Sequence, residues 1–387
     1  MNPEISHMLN QVDPERLKNT TLQFVEIPSP TTHERAFSEH YGEYLEKIGL
    51  DVELDDEFPD SPSVIARLRG VEPGRTLQLD GHTDTIPVPH SPPKFSDGLI
   101  YGRGVADMKS SLAAMAEAAE VLKRSGYPLK GDLLLTGHGL HEAPDGQNET
   151  LISLLKKGVH GDACIIGEIA HTFVPIVGKG QSAFEFVITR EGRVIHETVA
   201  DPDLPHPIKA GYELLKLLEK KHQEIQRDTM DYVGPESIFL GIFESGDFYN
   251  RVPTNCRIMG TRRFTTRRTS ADIDREFNEI LQDIRSRTRA DVTLNLVHCG
   301  EAFELKEEEE VLVCLRGAYQ AVTGRELPLG GVSIVGNSPL FINLARVPTV
   351  YHGVDTTTAH GDLEFVRLDD IVRAAKVYIS AAIHFLS

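Results

Sequence analysis

The chain contains no tryptophan, only four cysteines in 387 residues, and no apolar run long enough to cross a bilayer. Cys164, Cys256, Cys299 and Cys314 stand far apart with no C-x-x-C spacing, which indicates neither a disulfide framework nor a thiolate zinc site; buried free thiols are expected. Positive charge is scarce, with 40 Lys and Arg against 58 Asp and Glu and a formal net charge of −18. That balance argues against nucleic acid or an anionic membrane as partner, because a phosphate-binding surface needs clustered basic residues. The opening residues MNPEISHMLNQVDPERLK are too polar for a signal peptide, so the cytoplasm is expected. Phosphate-cradling loops are missing as well, since Gly178-Lys179-Gly180 and Gly330-Gly331 lack the required spacing.

What is present suits a folded chain with two domains: 40% hydrophobic and 25% charged residues. Apolar positions recur at helical spacing over 14–26 and 33–50, with Pro28 and Pro30 as breakers between them. Strand patterns over 51–54, 63–68 and from 77, a helix over 108–124, and buried apolar runs at 133–136 and 162–166 follow. This alternation predicts an α/β domain with a mostly parallel sheet and helices on both faces. From Gly178 the pattern changes to strand 182–189, helix 207–225, strands 237–243 and 257–264, helix 270–287 capped by Ser270, and strand 291–297. The order β-α-β-β-α-β describes an inserted ferredoxin-like α+β unit. A helix over 304–321 with the acidic run 307–310 as its solvated first turn, a strand at 348–351 and a helix over 369–386 complete the larger domain. The expected division is 1–178 and 302–387 for one domain and 179–301 for the other.

The most informative stretch covers residues 77–123. Its strand delivers His82 and Asp84 to the point where a buried strand gives way to a loop, which is where α/β proteins build sites. The two residues share a face on extended backbone, so the Asp84 carboxylate can fix the tautomer of a metal-ligating imidazole. Asp107 ends the glycine-broken loop after Gly102-Arg103-Gly104 and can face a cation. Three further segments carry acids and histidines near predicted strands: Glu168 in IIGEI, His141 and Glu142 in GDLLLTGHGLHE, and His360 in YHGVDTTTAHGDLE.

The succession G-H-x-D-x-x-P, then D-G-x-x-Y-G-R-G-x-x-D-M-K, resembles the di-zinc amidohydrolase and peptidase family that includes acetylornithine deacetylase, succinyl-diaminopimelate desuccinylase, aminoacylase and glutamate carboxypeptidase. The likeness spans nearly the whole chain. It implies His82, Asp107, Glu142, Glu168 and His360 as ligands of two divalent ions, zinc first, with cobalt or manganese as alternatives. Asp107 would bridge them and Asp84 would orient His82. His141 takes the place of the family's general-base glutamate and is expected to shuttle the proton; the alternative is a scaffold that has lost its base and binds ligand. Ile169 stands where proline is usual after the acidic ligand, and Asn337 where many members carry an acid.

The inserted unit carries a second set. His196 in EGRVIHET matches a histidine that polarises the scissile carbonyl and often comes from a partner subunit, Asn250 and Pro253 match N-x-x-P, and Arg263 falls at the spacing of a carboxylate-gripping arginine. Singly, these read as a strand-edge residue, a turn former and a solvated charge. His138 is expected behind the ligands or on the surface, and His352 and His384 as structural. The resemblance thus implies a zinc-peptidase-like catalytic domain with an inserted lid/dimerisation domain. It implies a homodimer that hydrolyses an amide bond next to a free carboxylate in an N-acyl amino acid or small peptide, with no nucleic-acid or membrane partner.

Overall fold

In the computed structural model, which describes residues 3–387, the strand Glu72–His82 lies within a six-stranded sheet. Its strands are β1 (Asp51–Asp55), β2 (Ser63–Leu68), β3 (Glu72–His82), β4 (Lys130–His138), β5 (Ala163–Ile166) and the late strand Thr349–Tyr351, ordered β1-β2-β4-β3-β5 with Thr349–Tyr351 outermost. β3 pairs parallel with β4 and β5, and Thr349–Tyr351 parallel with β5, while β1-β2 and β2-β4 are antiparallel. The sheet is therefore mixed, with helices on both faces. β3 is exposed at its start and buried from Leu77 to His82, so it carries polar side chains into the interior only near its carboxyl end.

Helix α1 (Pro14–Glu26) starts where Asp13 accepts from the N–H groups of Glu15 and Arg16 and Pro14 fills the first turn. Helix α2 (Arg35–Lys47) starts later than expected because Glu34 does not cap it; that carboxylate accepts from Thr32 N and Leu140 N instead. Helix α3 (Ser110–Ser125) is almost wholly buried, its alanines allowing close approach, and it packs against the C-terminal helix Leu368–Phe385. These elements belong to a compact unit that runs to Ile176 and takes in Leu305–Leu329 and Asn337–Ser387.

A second unit comprises Val177–Glu304 and Gly330–Gly336. Strands β6 (Gly180–Thr189), β7 (Ser237–Ser245), β8 (Asn255–Phe264) and β9 (Asp291–Gly300) form an antiparallel sheet in the order β7-β8-β6-β9. Helices α4 (Pro207–Ile225) and α5 (Ser270–Arg287) share its core with Phe184, Phe186, Ile258 and Phe277. β6 alternates buried and half-buried residues with period two, as a strand with one face on a core must. β7 is an edge strand with Phe239, Leu240, Ile242 and Phe243 exposed. The cap of α5 is Thr269 and not Ser270: Thr269 and Asp272 exchange hydrogen bonds in a capping box.

Segment 330–336, expected with the larger domain, belongs to the second unit because Lys179 N donates to Val332 O and Gly331 is pressed against Tyr232 and Val233. The helix expected from 304 begins at Glu310, because Phe303–Glu304 pairs as a strand with Gly178 and Val177. The acids 307–309 therefore precede the helix. All four cysteines are free, but only Cys164 and Cys256 are buried; Cys299 is exposed and Cys314 half-buried. Among the described residues no helix is long and apolar enough to cross a membrane.

Candidate metal centre

In the first unit the parallel strands β3 and β4 end side by side, with His82 opposite His138, and Asp80 lies opposite Ile166 at the end of β5. His82 is fully buried, and its Nδ1 donates to the backbone carbonyl oxygen of Asp84 at 3.0 Å, while Oδ1 of that residue is 3.4 Å away. The carbonyl, more than the carboxylate, thus fixes the tautomer and turns Nε2 toward Asp107 Oδ1 at 2.9 Å and Glu168 Oε2 at 3.8 Å. The Asp84 carboxylate has another task. Its Oδ2 accepts from the backbone N–H of His141 at 3.0 Å and of Glu142 at 2.8 Å and from the Thr31 hydroxyl at 3.1 Å, so it pins the segment that presents both side chains. Burial opposes ionisation of Asp84, but the hydrogen bond and charge of His82 hold the carboxyl well below its ordinary range.

Asp107 precedes the helix, as expected, but the helix begins at Ser110 and not at Met108. A wide turn, Val105–Lys109, precedes α3, and Asp107 and Met108 have non-helical backbone. The cause is Glu364, 1% exposed, whose carboxylate accepts from Gly104 N at 3.0 Å, Ala106 N at 2.8 Å and Asp107 N at 3.2 Å and pairs with Arg103 at 2.7 Å. Met108 turns under β3, where its Sδ accepts from His82 N at 3.3 Å; a Cβ on Gly81 would come within 2.3 Å of the Met108 methyl, so any larger residue there would displace that side chain.

The remaining predicted ligands converge on the same place. His360 Nε2 lies 3.2 Å from Asp107 Oδ2 and 2.9 Å from Glu142 Oε1, and its side chain, 49% exposed, marks the open side of the cluster. Hydrogen bonds from Asp107 and Glu142 push its pKa up to about 10. Burial pushes the Glu168 carboxyl up to about 8, with the charges of Asp107 and Glu142 adding to the shift. Ile169, beside it, has φ +67°, a conformation closed to proline, which accounts for the missing proline in physical terms.

Three carboxylates and two imidazoles meeting in a largely buried space, with Glu168 Oε1 left without a hydrogen-bond partner, fit divalent ions bound through N and O donors. Two groups of side chains have ligand atoms within 4.8 Å of one another: His82, Asp107, Glu142, and His82, His141, Glu168. The rings of His82 and His141 are stacked at 4.2 Å and 16°, however. A metal bound by imidazole lies in the ring plane, so a single ion cannot be well coordinated by both rings.

His141 is half-buried, its Nδ1 lying 2.8 Å from Asn148 Oδ1 and 3.1 Å from Asn337 Oδ1. His138 is fully buried, which removes the surface alternative for it, and its Nε2 is 3.3 Å from Asp80 Oδ2. His352 is also buried, between Tyr319 and Tyr378, and burial lowers its pKa to about 3; His384 is exposed. Glu34, Glu364 and Asn148 went unread in the sequence. Only Glu364 carried a signal, as the acid four residues after His360.

The other predicted residues lie in the second unit. Asn250 Nδ2 donates to His196 Nε2 at 2.9 Å across the short pairing of Ile195–His196 with Arg251–Val252. The buried Arg190 guanidinium ties both loops by donating to the carbonyls of Arg193, Val252 and Pro253. Arg263 lies near the far end of β8, roughly 26 Å along the strand from Asn255 at 3.3 Å per residue. It is half-buried, with Nη1 lacking a hydrogen-bond partner. Within this unit His196 and Asn250 come together and Arg263 does not join them.

Known proteins share this arrangement of elements. Over 92% of both chains the sequence is 24% identical to a succinyl-diaminopimelate desuccinylase of Parvibaculum lavamentivorans. It is also 24% identical to an N-formyl-4-amino-5-aminomethyl-2-methylpyrimidine deformylase of Halalkalibacterium halodurans, covering 93% of this chain and 91% of that one. The fold is similar to the aminopeptidase PepT of Bacillus cereus, with a TM-score of 0.80, 18% identity and 97% and 99% of the two chains covered. It is likewise similar to an M20 family metallo-carboxypeptidase of Sulfolobus solfataricus, with a TM-score of 0.77, 17% identity and 95% and 98% covered. The sequence profile of peptidase family M20/M25/M40 matches residues 78–384, a span that contains every side chain of the cluster, and the chain belongs to that family.

Proposed function

We propose that this chain is a two-metal hydrolase that cleaves an amide bond next to a free carboxylate, in an N-acyl amino acid or a small peptide. The observation that carries the reading is the convergence of His82, Asp107, Glu142, Glu168 and His360 around an unpartnered carboxylate oxygen. The names of its relatives, a desuccinylase, a deformylase, an aminopeptidase and a metallo-carboxypeptidase, support the bond type. Two bound divalent ions, zinc first and cobalt or manganese as alternatives, would supply a water of lowered pKa and positive charge for the carbonyl oxygen.

In this reading those five side chains would hold the ions, and Asp107, with one oxygen beside His82 and the other beside His360, would be the carboxylate shared between them. Asp84 keeps His82 and the backbone of His141 and Glu142 in place. His141 presents Nε2 to the proton that passes from the attacking water to the leaving amine. His196 and Asn250 stabilise the carbonyl oxygen and Arg263 receives the substrate carboxylate. A small substrate cannot span the roughly 26 Å of strand between Asn255 and Arg263. The reading therefore takes the protein as a cytoplasmic homodimer in which the inserted domain supplies His196 and Asn250 to its partner, and the exposed apolar edge of β7 supports such pairing.

The test is release of free amine from N-acetyl, N-succinyl and dipeptide substrates by zinc- or cobalt-loaded protein. Turnover that a chelator abolishes and added metal restores is expected; no release from any substrate overturns the reading. An imidazole where the family has a carboxylate base favours a second reading, a ligand-binding scaffold with impaired chemistry. Activity confined to a His141→Glu variant would establish that one.

A further inference from the structure

A polar stripe runs beneath the metal centre through the core of the first unit. β3 and β4 pair so that Asp80 faces Thr136 and His82 faces His138, and strand alternation turns Gln78, Asp80 and His82 to one side. Gln78 Nε2 donates to Thr136 Oγ1 at 2.7 Å, which donates to Asp80 Oδ1 at 2.5 Å. Asp80 Oδ2 is 3.3 Å from His138 Nε2, which is 3.2 Å from Asn337 Nδ2, and Asn337 Oδ1 is 3.1 Å from His141 Nδ1. Gln78, Asp80, Thr136 and His138 are fully buried and Asn337 is 1% exposed. Desolvating five polar side chains is costly, and none of them belongs to the groups placed to hold an ion.

An amide has two unlike ends. With its nitrogen toward His138 and its oxygen toward His141, Asn337 can only accept from the His141 ring, and the Asn148 oxygen does the same at 2.8 Å. Both contacts put the His141 proton on Nδ1 and leave the Nε2 lone pair free. We infer that Asn337 is a positioning residue which, its Nδ2 donating to His138 Nε2, locks His141 into the tautomer whose Nε2 can take a proton. This rests on reading His141 as the proton-transfer group. Without the oriented amide the ring could carry its proton on Nε2, and that fraction of molecules would be inactive as base.

The experiment is nitrogen NMR of the zinc-loaded full chain with isotope-labelled histidine rings, the His141 signals being identified by their loss in His141→Gln. A protonated Nδ1 and an unprotonated Nε2 are expected in the wild type. Asn337→Leu should mix the tautomers and lower kcat about tenfold, the equivalent of one hydrogen bond, with KM and zinc content retained, whereas Asn337→Asp, whose carboxylate still accepts from Nδ1–H, should keep the wild-type tautomer. A wild-type ring protonated on Nε2 overturns the inference without any variant, and so do an unchanged spectrum and kcat in Asn337→Leu. Full turnover by His141→Gln would instead remove the proton-transfer reading while leaving the tautomer measurement standing.

Discussion

Removing the Glu364 carboxylate would leave Arg103 and the N–H groups of Gly104, Ala106 and Asp107 without their acceptor, in a place where only 1% of the side chain meets solvent. Glu364→Ala should therefore cost about 3 kcal/mol of stability, the scale of breaking a buried ion pair. It should also lower the metal content per chain, because Asp107 loses its backbone anchor. Thermal unfolding and metal analysis check both. The same residue shows what was legible at this scale. Each proposed ligand stands inside a short motif whose neighbours fix its surroundings, and the fold brings the five together. Glu364 acts on backbone 260 residues away in sequence and Glu34 on backbone 106 away, and no local pattern announces a partner at that distance. Asn337 was visible only as a departure; its contact with His141 exists in the folded chain alone.

Among the elements, α4 and α5 match their expected spans because a local signal sits at the start of each, Pro207 for one and the Thr269 capping box for the other. Met108 and Lys109 were read as the start of a helix that begins at Ser110, because a tertiary contact at the turn Val105–Lys109 overrides their local preference. The edge strand β7 was read as a strand, but pattern alone did not show that it leaves phenylalanines exposed. Strand β8 carries a prediction of its own. Arg262, fully buried, pairs with Glu236 and Glu276 at 2.7 Å each. Arg262→Met takes from both carboxylates their one fully buried partner, leaving Glu236 to Arg268 at 3.1 Å and Glu276 to Lys221 at 3.6 Å, and should cost about 3 kcal/mol in chemical denaturation. Burial raises the pKa of Glu236, but the charge and hydrogen bond of Arg262 outweigh it and hold the carboxyl below its ordinary value. A depressed folded value means that this stability is present above the unfolded carboxylate range and is lost as pH falls through the folded one. Arg262→Met should therefore show a weaker loss of stability on acidification than the wild type.

For the molecule as a whole, the change of periodicity near Gly178 lies beside the boundary at Val177, while segment 330–336 groups with the second unit through pairing with Lys179 and packing against Tyr232, which no local pattern announces. Every proposed ligand lies in the first unit, so zinc should stabilise that unit selectively. An excess of about 100 times Kd adds about 2.7 kcal/mol to the state that binds, and hydrogen exchange should slow in β3, β4 and α3 while β6–β9 stay unchanged. Equal protection of both units would contradict this. Met108 records the same event in covalent form. Its sulfur is sealed beneath His82 with no exposure to solvent, and a thioether can be oxidised only when peroxide reaches it. Sulfoxide at this position thus accumulates only while the floor of the centre stands open, so mass spectrometry of a single peptide would keep a cumulative tally of openings, one that slows when metal is bound.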